Sequence, residues 1–195
     1  MGKLIFVRHG QTQMNADKLF FGKLDPSLND KGREQIKISR NKIENIHKLH
    51  YDNIYSSDLK RAKESAEILN YLEKEIIYDS RLQEINFGIF EGYNYKELEE
   101  KFPEQVKKSQ EEWETYNFET GESPKEMQER AVSFLNELDK TKDNLIVTHW
   151  GIICSTLTYL FSHDLASYWH YSCDNGGIIV INFVDDFPVL IGLNI

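Results

Sequence analysis

Two stretches of this chain share one layout. Leu4-Ile5-Phe6-Val7-Arg8-His9-Gly10 and Leu145-Ile146-Val147-Thr148-His149-Trp150-Gly151 each carry a short apolar run into a histidine, with a glycine close behind. Such a run closed by glycine suits a buried strand. Open parallel sheets bind ligands beyond the carboxyl ends of their strands, so neighbouring strands would set the two imidazoles side by side at that edge. One histidine at a strand end is more often structural, whereas two at equivalent ends point to chemistry. Arg8 directly precedes His9. A guanidinium is poor core material, but its fork matches two phosphate oxygens. Arg61 is a second candidate: it opens a helical pattern, and helical side chains lean toward the N-terminus, so it can reach back over the strand end at Tyr55-Ser56. Alone, it would read as a solvated helix arginine. Thr12 and Asn15 follow the first glycine and can donate to an anion, though without the rest they are ordinary turn residues.

The elements needed to hold these groups follow from apolar spacing. Besides the two histidine-bearing strands, short strands are expected at 53–55 and 76–78, and a final pair at 177–183 and 189–193 with a turn at Asp185-Asp186-Phe187-Pro188. From Asp30 to Leu49 the spacing of Ile36, Ile43, Ile46 and Leu49 predicts one helical face, with Asn29 as N-cap. Ser57 is expected to cap the helix carrying Leu59, Ala62, Ala66 and Leu69. Ser123-Pro124-Lys125-Glu126 reads as a capping box with proline at the first helical position, and a further helix spans 152–161. Strand alternating with helix implies an α/β fold of three layers, α/β/α, with a mostly parallel sheet, helices on both faces and an antiparallel element at the end. The segment 91–122 interrupts that alternation with charges and aromatics, among them Tyr93, Tyr95, Phe102, Trp113, Tyr116 and Phe118. Such an insertion either covers a site as a lid or packs a small core of its own, and both can hold.

At 195 residues the chain fits one domain, 1–195, with a full core, and 40% hydrophobic against 28% charged residues is a globular balance. Lys plus Arg number 23 and Asp plus Glu 32, a net charge of −9. That excess argues against nucleic acid or an anionic membrane as partner, and any anionic substrate needs a local basic cluster. The two cysteines, Cys154 and Cys173, are expected to be reduced. No window is long and apolar enough to span a membrane, and Met1-Gly2-Lys3 opens no signal-type run. Gly2 invites myristoylation, but Phe6 stands where Ser or Thr is expected. A soluble, cytoplasmic protein is the expectation, with monomer and homodimer both open. His47 and His50, three apart near a helix end, lack metal partners, and His163 and His170 are expected on surface loops. There is no nucleoside-triphosphate-binding glycine loop.

Further segments complete an ordered set: Arg8-His9-Gly10-Gln11-Thr12 with Asn15, Phe21-Gly22-Lys23-Leu24-Asp25-Pro26-Ser27-Leu28, Lys31-Gly32-Arg33-Glu34-Gln35 and Tyr55-Ser56-Ser57-Asp58-Leu59-Lys60-Arg61-Ala62. Leu82-Gln83-Glu84, Phe87-Gly88-Ile89-Phe90-Glu91-Gly92, Gly121-Glu122-Ser123 and Thr148-His149-Trp150-Gly151 follow. In this set the chain resembles the histidine phosphatase superfamily, in the branch that includes the cofactor-dependent phosphoglycerate mutases. The resemblance implies that His9 is the nucleophile that becomes phosphohistidine, its other ring nitrogen held by a backbone carbonyl. Arg8, Arg61, Asn15 and His149 would surround the phosphate, with Thr12 and Gly22 as further phosphate contacts. Glu84 would donate a proton to the leaving oxygen and then activate water, a task for which a carboxyl needs burial or nearby negative phosphate. Phosphoryl transfer asks the protein for alignment and electrostatic stabilisation, which arginines and histidines supply without a metal or other cofactor.

The chain departs from the family pattern at Gln11, where Glu is common, at Ile89-Phe90, where Trp often precedes Glu91, and at Trp150, where a small residue is frequent. Trp150 is expected as an aromatic wall bearing on substrate choice. The function implied is metal-independent hydrolysis of a small phosphorylated metabolite. The length and the segment 21–28 resemble α-ribazole phosphatases, which act on a cobalamin precursor, and broad-specificity phosphatases. Mutases of the family carry Asn-Glu-Arg-His-Tyr-Gly at the acid, whereas Gln83-Glu84-Ile85-Asn86-Phe87-Gly88 stands here. A non-catalytic phosphate-binding protein would be expected to have lost one of His9, Arg61, Glu84 or His149.

Overall fold

The computed structural model describes residues 2–195. Six strands form one mixed sheet: β1 (Lys3–Arg8), β2 (Asn53–Ser56), β3 (Ile76–Tyr78), β4 (Asn144–Thr148), β5 (Ile178–Val184) and β6 (Phe187–Leu193), in the order β3-β2-β4-β1-β5-β6. The first four are mutually parallel, β5 runs antiparallel to β1, and β6 runs antiparallel to β5. Side chains alternate across a strand, so Leu4 and Phe6 enter one apolar cluster while Ile5 and Val7 enter the other. Helices α2 (Asp30–Asn41) and α3 (Lys60–Leu69) cover the second cluster. Helices α6 (Pro124–Glu137) and α7 (Trp150–Phe161) cover the first. The expected three-layer α/β fold is therefore the observed one. Among the described residues no helix is long and apolar enough to cross a membrane.

Local chemistry sets the boundaries. Asn29 caps α2 by accepting the Gly32 N–H, and Ser123 and Glu126 form the capping box of α6. The helix expected over 30–49 instead gives way at Lys42–Ile46 to a π turn, in which the His47 N–H reaches the Lys42 carbonyl. The wider turn keeps Ile43 buried and turns Ile46 out to solvent. Ser57 is not the cap of α3: Leu59 stands at that position, and the Asp25 carboxylate, from a distant loop, accepts the Lys60 N–H at 2.6 Å. The last hairpin closes in two residues, because Asp185 and Asp186 both take positive φ, and β6 begins at Phe187. Both cysteines are free and buried.

The segment 91–122 carries two short helices, α4 (Tyr95–Lys101) and α5 (Pro103–Glu111). Leu98, Val106, Tyr116 and Phe118 pack it onto the main core, and its inner face also walls a cavity beside the candidate site. The insertion therefore shares the main core and has no separate small core of its own among the described residues.

Candidate active site

Strand order places the key side chains in a row. β2, β4 and β1 are adjacent and end level, with Ser56 opposite Val147 and Thr148 opposite Arg8. Ser57, His149 and His9, each the next residue beyond a strand, therefore line one edge, and the imidazole centroids lie 5.0 Å apart. A pocket of about 350 Å3 opens there. Arg8, His9, Asn15, Arg61, Glu84 and Trp150 line it, together with Lys18 and Phe20.

The two imidazoles have defined tautomers. His9 Nδ1 lies 2.7 Å from the Gly10 carbonyl oxygen, which can only accept, so the proton sits on Nδ1 and Nε2 keeps its lone pair. Burial, then the charges of Arg61 and Arg8, hold the His9 pKa well below 6.5, so the ring is neutral near pH 7. His149 Nδ1 accepts from Arg61 Nε at 3.3 Å, which puts the proton on Nε2, 2.9 Å from Ser57 Oγ. Its pKa is lowered as well, first by burial and then by Arg61.

The guanidiniums are held differently. Arg61 is fully buried: Nη1 donates to the Leu24 carbonyl, Nη2 to that of Gly22, and the plane lies over Phe21. Burial pulls its pKa down to about 10, still charged at neutral pH, with Glu84 the largest opposing influence. Arg8 donates Nη1 to the Cys173 carbonyl at 2.7 Å, while its buried Nε has no partner among the described residues. A buried charged donor without an acceptor is costly. At this pocket it suits an anion.

Glu84 is fixed by backbone. Its Oε1 accepts the Ile85 N–H at 3.0 Å and its Oε2 the Gly151 N–H at 3.3 Å in the first turn of α7. A Cβ at Gly151 would stand 2.3 Å from Glu84 Oε1, so the absence of a side chain there makes room for the carboxyl.

Thr12 and Gly22 lie behind the pocket lining. Thr12 is buried and caps the short helix α1 (Gln13–Ala16), bonding the Asn15 N–H and the Asn15 carboxamide oxygen. Asn15 is thereby oriented with its amide nitrogen free of a partner among the described residues. The Gly22 N–H is taken by Glu91 and its carbonyl by Arg61, and a Cβ there would meet the Ile85 carbonyl oxygen at 1.7 Å. Both residues are thus placed to position pocket groups rather than to touch a ligand.

Three supporting side chains escape a reading of residue types. Ser57 bonds His149. Glu91 accepts the N–H groups of Gly22, Lys23 and Leu24, the loop whose carbonyls grip Arg61. Arg130, paired with Glu122, donates to the carbonyls of Arg81, Gln83 and Glu84 and so anchors the backbone that presents Glu84. Glu91 and Glu122 sit in quoted motif segments, but nothing local marks Arg130. The exposed His50 lies near Asp52, and His47, His163 and His170 are exposed and outside the pocket.

Removing the Ser57 hydroxyl leaves the buried His149 N–H unpaired, at a cost of about 1–3 kcal/mol. Ser57→Ala is expected to lower the unfolding free energy by that amount and kcat/KM by roughly tenfold through misaimed His149. Denaturant titration and steady-state rates check it.

A covered α/β sheet that sets a neutral histidine and two guanidiniums on one pocket, with a second, buried histidine packed 5.0 Å from the first, suits the handling of a phosphoryl group. The chain belongs to the histidine phosphatase superfamily, branch 1, whose family model matches residues 4–195, and it is a phosphoric monoester hydrolase of that family. It is 34% identical over 199 residues to phosphoserine phosphatase 1 of Hydrogenobacter thermophilus, covering 100% of this chain and 93% of that one. Among solved structures, the α-ribazole phosphatase of Shigella flexneri superposes with a TM-score of 0.91 at 25% identity, over 99% of this chain and 96% of that one. A phosphoserine phosphatase of Entamoeba histolytica in complex with 3-phosphoglyceric acid gives 0.86 at 29% identity, over 100% and 98%.

Proposed function

We infer that this chain hydrolyses a small organic phosphate in two steps, without a metal ion, through a phosphohistidine on His9. The observation that carries the reading is the locked, neutral His9, with Nδ1–H on the Gly10 carbonyl and a bare Nε2 in the pocket. In the first step the Nε2 lone pair forms a bond to phosphorus, the ester P–O bond breaks, and Glu84 passes a proton to the departing oxygen. In the second, water attacks phosphorus, Glu84 takes its proton, and the P–N electron pair returns to Nε2. The Arg8 and Arg61 guanidiniums and the Asn15 amide face the equatorial oxygens, whose charge is the main thing to stabilise, while His149, held between Arg61 and Ser57, keeps Arg61 in place.

For the substrate, α-ribazole 5′-phosphate is supported by the likeness to the α-ribazole phosphatase structure and by the aromatic wall at Trp150. Phosphoserine is the rival, on the strength of the 34% identical relative. A phosphate-release screen over α-ribazole phosphate, phosphoserine, phosphoglycerates, sugar phosphates and nucleotides tests the reading. Interconversion of phosphoglycerates without release would mark a mutase instead. Because the charge is supplied by arginines, full activity is expected to persist in a strong chelator. Loss restored by one added metal would overturn the metal-free mechanism.

A further inference from the structure

The Gly10 carbonyl that fixes the His9 tautomer is itself held from outside the phosphate pocket. That carbonyl belongs to the Gly10–Gln11 peptide. The other end of the same plane, the Gln11 N–H, donates to Gln35 Oε1 at 2.9 Å. An N–H can only donate, so the carboxamide must turn its oxygen inward. One chain of hydrogen bonds results: His9 Nδ1–H to the Gly10 oxygen, then through the peptide to the Gln11 N–H and on to Gln35. Gln35 stands on α2, and Asn29, the cap of that helix, holds the same loop further along. Its N–H donates to the Gln11 carbonyl at 3.0 Å and its Nδ2 to the Gln11 side-chain oxygen at 3.1 Å.

The preceding peptide, His9–Gly10, is gripped at both ends as well. Its carbonyl accepts Asn175 Nδ2 at 3.1 Å, and its N–H donates to Ser65 Oγ at 3.2 Å. The Ser65 hydroxyl gives its own proton to the Arg61 carbonyl, which leaves a lone pair for Gly10. The backbone needs these holds. A Cβ at residue 10 would stand 2.4 Å from the Gly32 carbonyl oxygen, so only glycine lets this loop lie so close to α2. Glycine also brings the widest choice of φ and ψ, and rotation of either peptide would carry the Gly10 oxygen away from Nδ1.

The tautomer depends on that oxygen. With the carbonyl 2.7 Å from Nδ1, the other tautomer would set a nitrogen lone pair against an oxygen lone pair. With the carbonyl turned away that penalty vanishes, and a ring protonated on Nε2 cannot attack phosphorus. Hydrogen bonds that share a peptide also polarise one another, so the Gln35 bond strengthens the Gly10 oxygen as an acceptor. We propose that Gln35 is a positioning residue for His9: by holding the Gly10–Gln11 peptide it keeps the Gly10 oxygen on Nδ1 and the lone pair on Nε2. The catalytic use of that lone pair rests on the phosphohistidine reading above, whereas the tautomer itself does not. Gln35 lines a polar cavity of about 430 Å3 with Lys42 and Asn175, and that cavity has no lining residue in common with the phosphate pocket. Gln35 therefore acts on the nucleophile without touching the ligand.

Nitrogen NMR of protein carrying isotope-labelled histidine reads the ring directly. Wild type is expected to show a protonated Nδ1 and a bare Nε2 for His9, signals that His9→Ala lacks. Gln35→Met keeps the length and removes the acceptor. It is expected to move the tautomer ratio roughly tenfold toward Nε2–H, the size of one hydrogen bond, and to lower kcat/KM for 4-nitrophenyl phosphate roughly tenfold. Competitive inhibition by inorganic phosphate should stay within about twofold of wild type, because ground-state binding is untouched. Gln35→Glu returns an acceptor to the Gln11 N–H and is expected to recover the wild-type tautomer and most of the rate. A wild-type tautomer in folded Gln35→Met overturns the proposal, as does a shifted tautomer at undiminished kcat/KM, or Gln35→Glu as impaired as Gln35→Met. If Gln35→Met does not fold, Gln35→Asn, one methylene shorter, withdraws the same acceptor and is read by the same measures. Turnover of 4-nitrophenyl phosphate by wild type but not by His9→Ala reports the phosphatase reading separately. If wild type turns nothing over, that reading falls, and the tautomer alone decides the role of Gln35.

Discussion

Replacing His9 by alanine is expected to abolish turnover, by roughly 10⁴-fold or more, because no other group in the pocket can carry the phosphoryl intermediate. The neighbouring histidine is no substitute: His149 Nδ1 is occupied by Arg61 and its Nε2 proton by Ser57. Rapid acid-free quenching of wild type with labelled substrate should trap one acid-labile phosphoryl group per chain, and the variant should trap none. A His9→Ala protein that turns over at the wild-type rate would sink the covalent mechanism. The same substitution has a signature in stability. The folded pKa of His9 is depressed below 6.5, so above that pH folded and unfolded states bind the same proton count at this site. As pH falls from 6.5 toward the lowered folded value, the unfolded chain takes up the proton first and stability is lost. His9→Ala removes that contribution. Its unfolding free energy should therefore fall less steeply than that of wild type below pH 6.5, with the remaining slope including His149.

What the sequence made legible is what short-range pattern encodes. The four parallel strands, the Asn29 cap, the Ser123 capping box and the pairing of His9 with His149 rest on local runs of sequence. Topology then did the rest, since only the order β2-β4-β1 makes the two strand ends neighbours. Features that depend on distant chain were not legible. Ser57 looked like a helix cap because serine before a helical run usually is one, yet Asp25, from far upstream, takes the end of α3. Thr12 and Gly22 have the right chemistry for phosphate, but Asn15, Arg61 and Glu91 claim their polar groups. Arg130 is an unremarkable helix arginine until the chain folds its guanidinium against carbonyls 46 to 49 residues away. The aromatics of the insertion were visible as a composition, while the cavity they enclose depends on Trp150, Tyr168 and Trp169 arriving from beyond it.

Glu84→Gln is the second large effect, and its value lies in selectivity. A glutamine keeps the shape and, through its single carboxamide oxygen, keeps one of the two N–H bonds, that of Ile85 being the shorter, so the fold should survive. It cannot donate a proton to the departing alkoxide at comparable acidity. General acid catalysis of this kind is worth about 10²–10⁴-fold, and that loss is expected in kcat/KM for alkyl phosphates. An aryl ester such as 4-nitrophenyl phosphate leaves as a stable phenolate and needs no proton, so its kcat/KM should fall by less than about tenfold. The second step offers an independent check. Water attack on phosphohistidine also uses the Glu84 carboxylate, so the variant should release one burst of nitrophenolate per chain and then stall as phosphoenzyme. Equal losses of kcat/KM on alkyl and aryl esters would remove Glu84 from the acid role. A burst followed by normal turnover would remove it from the base role alone.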